Sequence, residues 1–413
     1  MKKTSVTDFL PAGLLGLGTA VVLGFSRFDY ALILPSMKRD LVLNFTEAGW
    51  LNTANAVGYL LGAIVAKPLI GRFGVQMIFR SGLILTSIAV LATGLFHAYL
   101  PLLLLRVLAG VFGAISFICG GVLAAGLFPG NAGRTAVSIS IYMSGGGLGI
   151  LLSGLILPIA LSRCDDKCWP WTWIELGIAS LLCTAFSWSS AHSSQPQGAI
   201  HPGRSSWKIG FFVPLLSGYF LFGGGYIIYM TYIIAWVRES GRSVEEVSFF
   251  WALLGLAVIV SPPIWKRVLS GWSGGRPMGA TIGITALGSL IPLFSTSFFS
   301  MIVSAIFFGL AFLNVPATMT AFLQRSLPQS HWGSSIAFFT VIFSLGQIVG
   351  PIMGGKIADR AGTLSSGLTL SFVSLIAGAV AAVFQKEIQQ IQEQTTGMAN
   401  LGMTSEEQQR DTE

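Results

Sequence analysis

Residues 9–34 read FLPAGLLGLGTAVVLGFSRFDYALIL. Lys2 and Lys3 precede the run, as basic residues precede the apolar core of a secretory leader. The apolar stretch is far longer than the ~7–15 residues such a core needs. About 20 apolar residues cross a hydrocarbon layer, so the segment reads as an uncleaved first membrane helix. Arg27 and Asp29 sit well inside it. Ionisable groups are costly at that depth, and their presence there marks a place where function is expected.

The rest of the chain continues the pattern. Of its 413 residues, 53% are hydrophobic and only 10% are charged. Soluble domains carry about a quarter charged residues, so lipid must solvate most of this chain. Fifty glycines fit the same conclusion, because small residues let membrane helices approach closely. The net charge of +7 is spread singly between apolar runs, with pairs only at Lys2-Lys3, Lys38-Arg39 and Lys266-Arg267. Nucleic-acid binding needs a basic face making several phosphate contacts, and none forms here.

Apolar runs long enough to span fall at residues 9–34, 48–66, 78–96, 100–128, 136–160 and 172–189, then at 209–237, 247–264, 278–296, 298–323, 334–355 and 364–384. The sequence therefore predicts an all-α membrane protein of twelve transmembrane helices in two six-helix bundles. Residues 1–189 and 209–384 form the bundles, 190–208 a polar connecting loop rich in turn formers, and 385–413 a polar tail. Pro262-Pro263 and Pro351 are expected to kink or end their helices. Connections on the side of the termini carry Lys67, Arg72, Arg80, Arg134, Arg204, Lys208, Lys266, Arg267, Arg276 and Arg325 without a single Asp or Glu. The opposite connections dilute their basic residues with acids from Asp40 to Asp359. By the positive-inside rule both termini are expected in the cytoplasm.

An internal repeat links the halves. Gly133, Gly146 and Gly154 recur 200 residues later as Gly333, Gly346 and Gly354. Close to that offset Gly24 pairs with Gly223, Tyr30 with Tyr229, Trp50 with Trp251 and Gly110 with Gly309. An even number of helices per half makes such repeats parallel, with a solute site expected between them.

Residues 102–117, with Arg106, Gly110 and Gly113, resemble the fourth-helix motif of the major facilitator superfamily. Gly346-Gln-Ile-Val-Gly350-Pro351-Ile-Met-Gly354-Gly355 resembles that superfamily's glycine-proline motif, here in helix eleven. Gly355-Lys-Ile-Ala-Asp359-Arg360-Ala-Gly362 echoes its Gly-x-x-x-Asp-Arg-x-Gly signature, placed at an outer loop. The inner loop where the signature is usually strongest reads Lys67-Pro-Leu-Ile-Gly71-Arg72-Phe73-Gly74. Gly71 stands where the aspartate belongs, which puts the usual charge latch of that loop in doubt. Gly24 to Tyr30 through Leu34-Pro35, with Ala48-Gly49-Trp50 through Asn55 to Tyr59, is similar to the YbfB/YjiJ-type bacterial branch. The resemblance covers about residues 9–385. It implies a multi-pass transporter in a bacterial inner membrane, with helices 1, 4, 7 and 10 lining a central cavity.

Several side chains are candidates for that cavity. Arg27 and Arg106 would attract a carboxylate or similar anion; alternatively Arg106 braces helices through backbone carbonyls and Arg27 snorkels outward. Asp29 lies two residues from Arg27, hence on another side of a continuous helix. It is expected to meet a different helix, with Arg106 one possible partner. Its role is either proton carrier or static salt bridge. Neutral polar stripes add Tyr30, then Asn52, Asn55 and Tyr59 on helix two, and Thr340, Ser344 and Gln347 on helix eleven. Tyr226 and Tyr229 on helix seven and Asn314 and Thr318 on helix ten supply further donors. Each either contacts solute or makes an interhelical hydrogen bond. The C-terminal half offers no charge inside a span, so charge recognition falls to the N-terminal half.

Enzyme chemistry finds no footing. His97, His192, His201 and His331 lie in or beside loops, Cys119 and Cys183 are isolated, and nothing has metal-ligand spacing. No cofactor is expected. Cys164 and Cys168 flank Asp165-Asp166-Lys167 in an outer loop, where a disulfide is possible. Glu175, near the start of helix six, sits beside Trp169, Trp171 and Trp173, an interfacial belt. The leading expectation is a monomeric secondary active transporter, proton-coupled, for a small anionic organic solute. A proton-driven exporter of drugs or metabolites is the second, and a non-transporting membrane receptor the third.

Overall fold

The computed structural model describes residues 6–163, 165–191 and 209–387. Most of the connecting loop and of the tail expected from the sequence lies outside the described residues, as does Cys164. Cys168 is disulfide-bonded, and Cys119 and Cys183 are free thiols.

The N-terminal bundle consists of α1 (Leu10–Asp40), α2 (Phe45–Phe73), α3 (Val75–Thr93), α4 (Tyr99–Ala125), α5 (Ala132–Ser162) and α6 (Trp169–Ser190). The C-terminal bundle consists of α7 (Val213–Glu239), α8 (Val244–Gly271), α9 (Arg276–Phe294), α10 (Phe298–Ser326), α11 (Gln329–Ala361) and α12 (Leu364–Val383). Among the described residues, eleven of these are long and apolar enough to cross a membrane. The twelfth, α6, has 22 residues, with Glu175, tryptophans and serines lowering its apolarity.

Of the two outcomes expected of the prolines, a helix end does not occur. α8 continues through Pro262 and Pro263, and α11 through Pro351. Membrane helices tolerate proline where neighbours satisfy the disturbed backbone. Beside Pro351 the Tyr232 hydroxyl lies 2.7 Å from the Pro351 carbonyl and 2.8 Å from that of Phe45, sharing its proton between the two bundles. Two helices are irregular where the sequence predicts none. α1 widens into a π-helix over Ala20–Phe28, and α10 tightens into a 3₁₀ turn at Phe312–Asn314 just before Pro316.

The bundles meet along two seams, α2 with α11 and α5 with α8. Both close at the end remote from the termini. A Cβ added to Gly49 would sit 2.5 Å from the Pro351 carbonyl, and one on Gly154 2.6 Å from the Ala252 amide. Gly71 and Gly333, at the other ends of α2 and α11, have open space instead.

Candidate functional site

The wide turn of α1 carries the two charges that mark the site. Its hydrogen bonds reach five residues back, as in Asp29 N to Gly24 O at 3.0 Å, and such turns recur at functional places. Arg27 and Asp29 leave this turn toward different neighbours, as their spacing predicts.

Arg27 is 5% exposed. Its guanidinium carbon lies 5.0 Å from the centroid of the Tyr59 ring on α2, and its charge acts on the hydroxyls of both Tyr59 and Tyr226. Nε and Nη2 have no hydrogen-bond partner. Buried polar atoms are almost always bonded, and a guanidinium is a rigid fork of donors matched to a carboxylate. Arg27 is thus a fixed cation with donors free for a ligand.

Asp29 is fully buried and faces the seam between bundles. Ser153 Oγ on α5 donates to its Oδ1 at 2.5 Å, and Trp251 Nε1 on α8 approaches the same oxygen at 3.5 Å. Oδ2 has no partner. The suggested pairing with Arg106 is corrected: Asp29 turns toward α5 and α8, whereas Arg106 is committed elsewhere. Arg106 Nη1 donates to Ser26 O at 2.5 Å and Nε to Leu51 O at 3.3 Å. Its guanidinium also lies 4.9 Å from the Tyr30 ring and 5.4 Å from that of Trp173. It ties α1 and α2 to α4 through carbonyls and rings, with Nη2 alone left over.

Most neutral candidates are engaged in the protein. Tyr30 donates to Ala48 O, Asn55 to Arg106 O and Thr318 to Val315 O. Tyr229 pairs with Ser304 on α10, and Asn314 donates to Ser261 and to Leu310 O. Asn52 donates across the seam to Thr231 at 2.5 Å. Thr340 closes on Ile336 O.

A smaller set keeps free capacity. Gln347 Nε2 donates to the Tyr226 hydroxyl, leaving Gln347 Oε1 without a partner; Ser344 Oγ on the same helix has none either. The Tyr226 ring stacks with Phe222, Phe343 and Phe312 at 4.9, 5.8 and 5.9 Å. Phe312 in turn meets Phe28 of α1 at 5.8 Å. Arg27, Tyr59, Tyr226, Ser344 and Gln347 thus form one constellation from both bundles.

Sequence reasoning missed the residues that close the remote end. The Asp359 carboxylate of α11 accepts from the amides of Phe45 and Thr46 at 2.8 and 2.9 Å and from the Thr46 hydroxyl at 2.5 Å. It caps the N-terminus of α2 from the other bundle. Asn44 completes the cap by accepting from Glu47 N. Thr53 donates to Ile348 O and Ser248 to Gly154 O. Ser153 and Trp251 were also unanticipated, although the repeat had singled out Trp251 as the counterpart of Trp50.

Comparison with known proteins identifies the assembly. The family described as "Uncharacterised MFS-type transporter YbfB" matches residues 19–383. The uncharacterized MFS-type transporter YttB of Bacillus subtilis (strain 168) is 22% identical over 80% of this chain and 85% of its own. The hexuronate transporter of the same organism is 23% identical over 88% and 91%. The crystal structure of the nucleoside transporter NupG superposes with a TM-score of 0.69 at 11% identity, covering 92% of this chain and 98% of that one, a likeness of fold alone. Two seamed six-helix bundles, a cation and a carboxylate between them and this match across nearly the whole chain have one explanation: the chain belongs to the YbfB-type family of major facilitator transporters, and it is a multi-pass membrane transporter rather than an enzyme.

Proposed function

We propose that the chain carries a small organic anion across the bacterial inner membrane by alternating access, coupled to protons. The observation that carries this reading is Arg27, a buried guanidinium between the bundles with two nitrogens that no group among the described residues satisfies. An anion supplies both the acceptors and the counter-charge; a neutral solute supplies acceptors alone, and a cationic one is repelled. That a relative is named a hexuronate transporter agrees, since a hexuronate is a carboxylate. Arg106, which donates to the carbonyl of Ser26 next to Arg27, adds positive potential, although its own donors serve mainly as a brace.

Asp29 is the proton carrier in this reading. Its carboxyl touches both bundles only where they are closed, and its second oxygen is unpartnered. Parting of the seam would rehydrate it, so protonation and conformation are linked. With both termini cytoplasmic, as the basic inner loops indicate, the closed end is the outer one and the site is approached from inside. One chain supplies both walls of the site, so a monomer suffices.

An exporter of amphiphilic drugs would call for an acid-lined aromatic pocket. Here the aromatic stack adjoins a cation instead. The test is counterflow in reconstituted vesicles with matched small carboxylates and their neutral amides. Carboxylates should exchange and Arg27→Ala should abolish the exchange while the protein stays folded. Normal exchange by folded Arg27→Ala would end the anion reading.

A further inference from the structure

We infer that the solute is a hydroxylated carboxylate, a hydroxy acid or sugar acid, held by its carboxylate on Arg27 and by a hydroxyl on Gln347 and Ser344. This rests on the reading of Arg27 as the anion's partner and adds what the other bundle demands.

The unpartnered polar atoms of the constellation are of two kinds. On α1 they are donors: Nε and Nη2 of Arg27. On α11 they are the Gln347 Oε1 and the Ser344 Oγ, both on residues with no exposed surface. Three residues apart on one helix, the two share a face. A bare carboxylate bound at Arg27 leaves these α11 groups unsatisfied, and a buried polar group without a partner is costly.

A hydroxyl is the group that fits them. It donates to Gln347 Oε1 and accepts from Ser344, and it still fits if the amide is turned to present its nitrogen, because a hydroxyl both donates and accepts. An ammonium could donate to both oxygens but would lack a counter-ion. Asp29, the one buried carboxylate among the described residues, is turned to Ser153 and Trp251. The described spans of the C-terminal bundle bury no Asp or Glu. Amino acids are thereby disfavoured against hydroxy acids. Tyr59, at the Arg27 end, and the Tyr226 stack give flat apolar edges for the solute's C–H surface. Sites built to bond a hydroxyl reject analogues lacking it strongly.

The test uses purified full-length protein and three probes of similar size: glucuronate, cyclohexanecarboxylate and glucose. Thermal stabilisation by ligand reports affinity. Glucuronate should bind at least ~10-fold more tightly than cyclohexanecarboxylate, a modest fraction of the discrimination such sites reach, and glucose should not bind. Gln347→Leu and, separately, Ser344→Ala should each shrink the ratio of glucuronate to cyclohexanecarboxylate affinity, chiefly by weakening glucuronate. Arg27→Ala should remove both acids. Equal binding of the two acids overturns the hydroxyl inference and leaves the anion reading standing. Glucose binding as well as glucuronate overturns the anion reading itself. If lactate, malate, gluconate and glucuronate all fail to stabilise the protein at ~10 mM, above the usual range of KM, the inference is wrong as a whole.

Discussion

Helices α1 and α7 occupy equivalent places in the two bundles, and the offset that pairs Gly24 with Gly223 and Tyr30 with Tyr229 also sets Arg27 against Tyr226 and Asp29 against Ile228. They have been specialised in opposite ways. α1 is wide and charged, with a π segment over Ala20–Phe28. α7 is a regular α-helix over Val213–Glu239 whose buried face is aromatic. The same asymmetry holds one helix pair further: α4 has Arg106 where α10 has a buried Ala305. Trp50 is 46% exposed, whereas its counterpart Trp251 is buried and reaches Asp29. One bundle supplies charge and the other supplies shape and neutral hydrogen bonds. Pseudo-symmetry preserved the scaffold while the chemistry diverged.

The sharpest way to break this division is Arg27→Tyr, which makes α1 resemble α7 at this place. Two charge-assisted bonds contribute roughly 1.5–3 kcal/mol each, so kcat/KM should fall at least ~100-fold with melting behaviour little changed. Arg27→Lys keeps the charge but loses the fork and should recover part of the loss; a lysine no better than tyrosine would show that charge is irrelevant there.

Asp29→Asn should be the next largest. Vesicles with solute on both sides should still exchange it, within about threefold of wild type, because the amide mimics a permanently protonated acid. Accumulation driven by a pH gradient should vanish, since no protonation change is left to bias the two states. Surviving accumulation would move coupling to another carboxylate, Glu175 first. Weakness in both assays with the pH response intact would mark Asp29 as a static brace.

Arg106→Ala probes the second cation. Its bonds to the Ser26 and Leu51 carbonyls predict a loss of about 2–4 kcal/mol in stability, seen as a lower melting temperature. An unchanged melting temperature with transport abolished would give Arg106 a share of the anion. Smallest of all, Tyr226→Phe removes one hydrogen bond to Gln347 and should raise KM by about threefold to tenfold, in keeping with ~1 kcal/mol.

Run length and hydropathy made the twelve helices legible, and the offset of about 200 residues made the halves legible, because a membrane imposes both on sequence directly. Arg27 and Asp29 were legible as costly charges in a span. What they touch was not. Ser153 and Trp251 come to Asp29 from two other helices, and an isolated serine and a tryptophan carry no local mark of that meeting. Nor does any residue type announce the π segment, which arises from a shift of backbone partners. Pro351 looked like a helix end because its own ring argues for one, yet α11 runs on to Ala361. The signature around Asp359 was visible, but its role as a cap on α2 emerges only when the two bundles are set together.

That cap has a consequence for timing. A side chain accepting from helix N-terminal amides contributes about 0.5–2 kcal/mol, and Asp359 is exposed enough for water to replace it on both Phe45 and Thr46. At 1.4 kcal/mol per tenfold, such a clasp shifts the occupancy of the two states by roughly a factor of ten. It is deep enough to give the resting molecule a preferred side. It is also shallow enough for a differential binding energy of a few kcal/mol to overcome it.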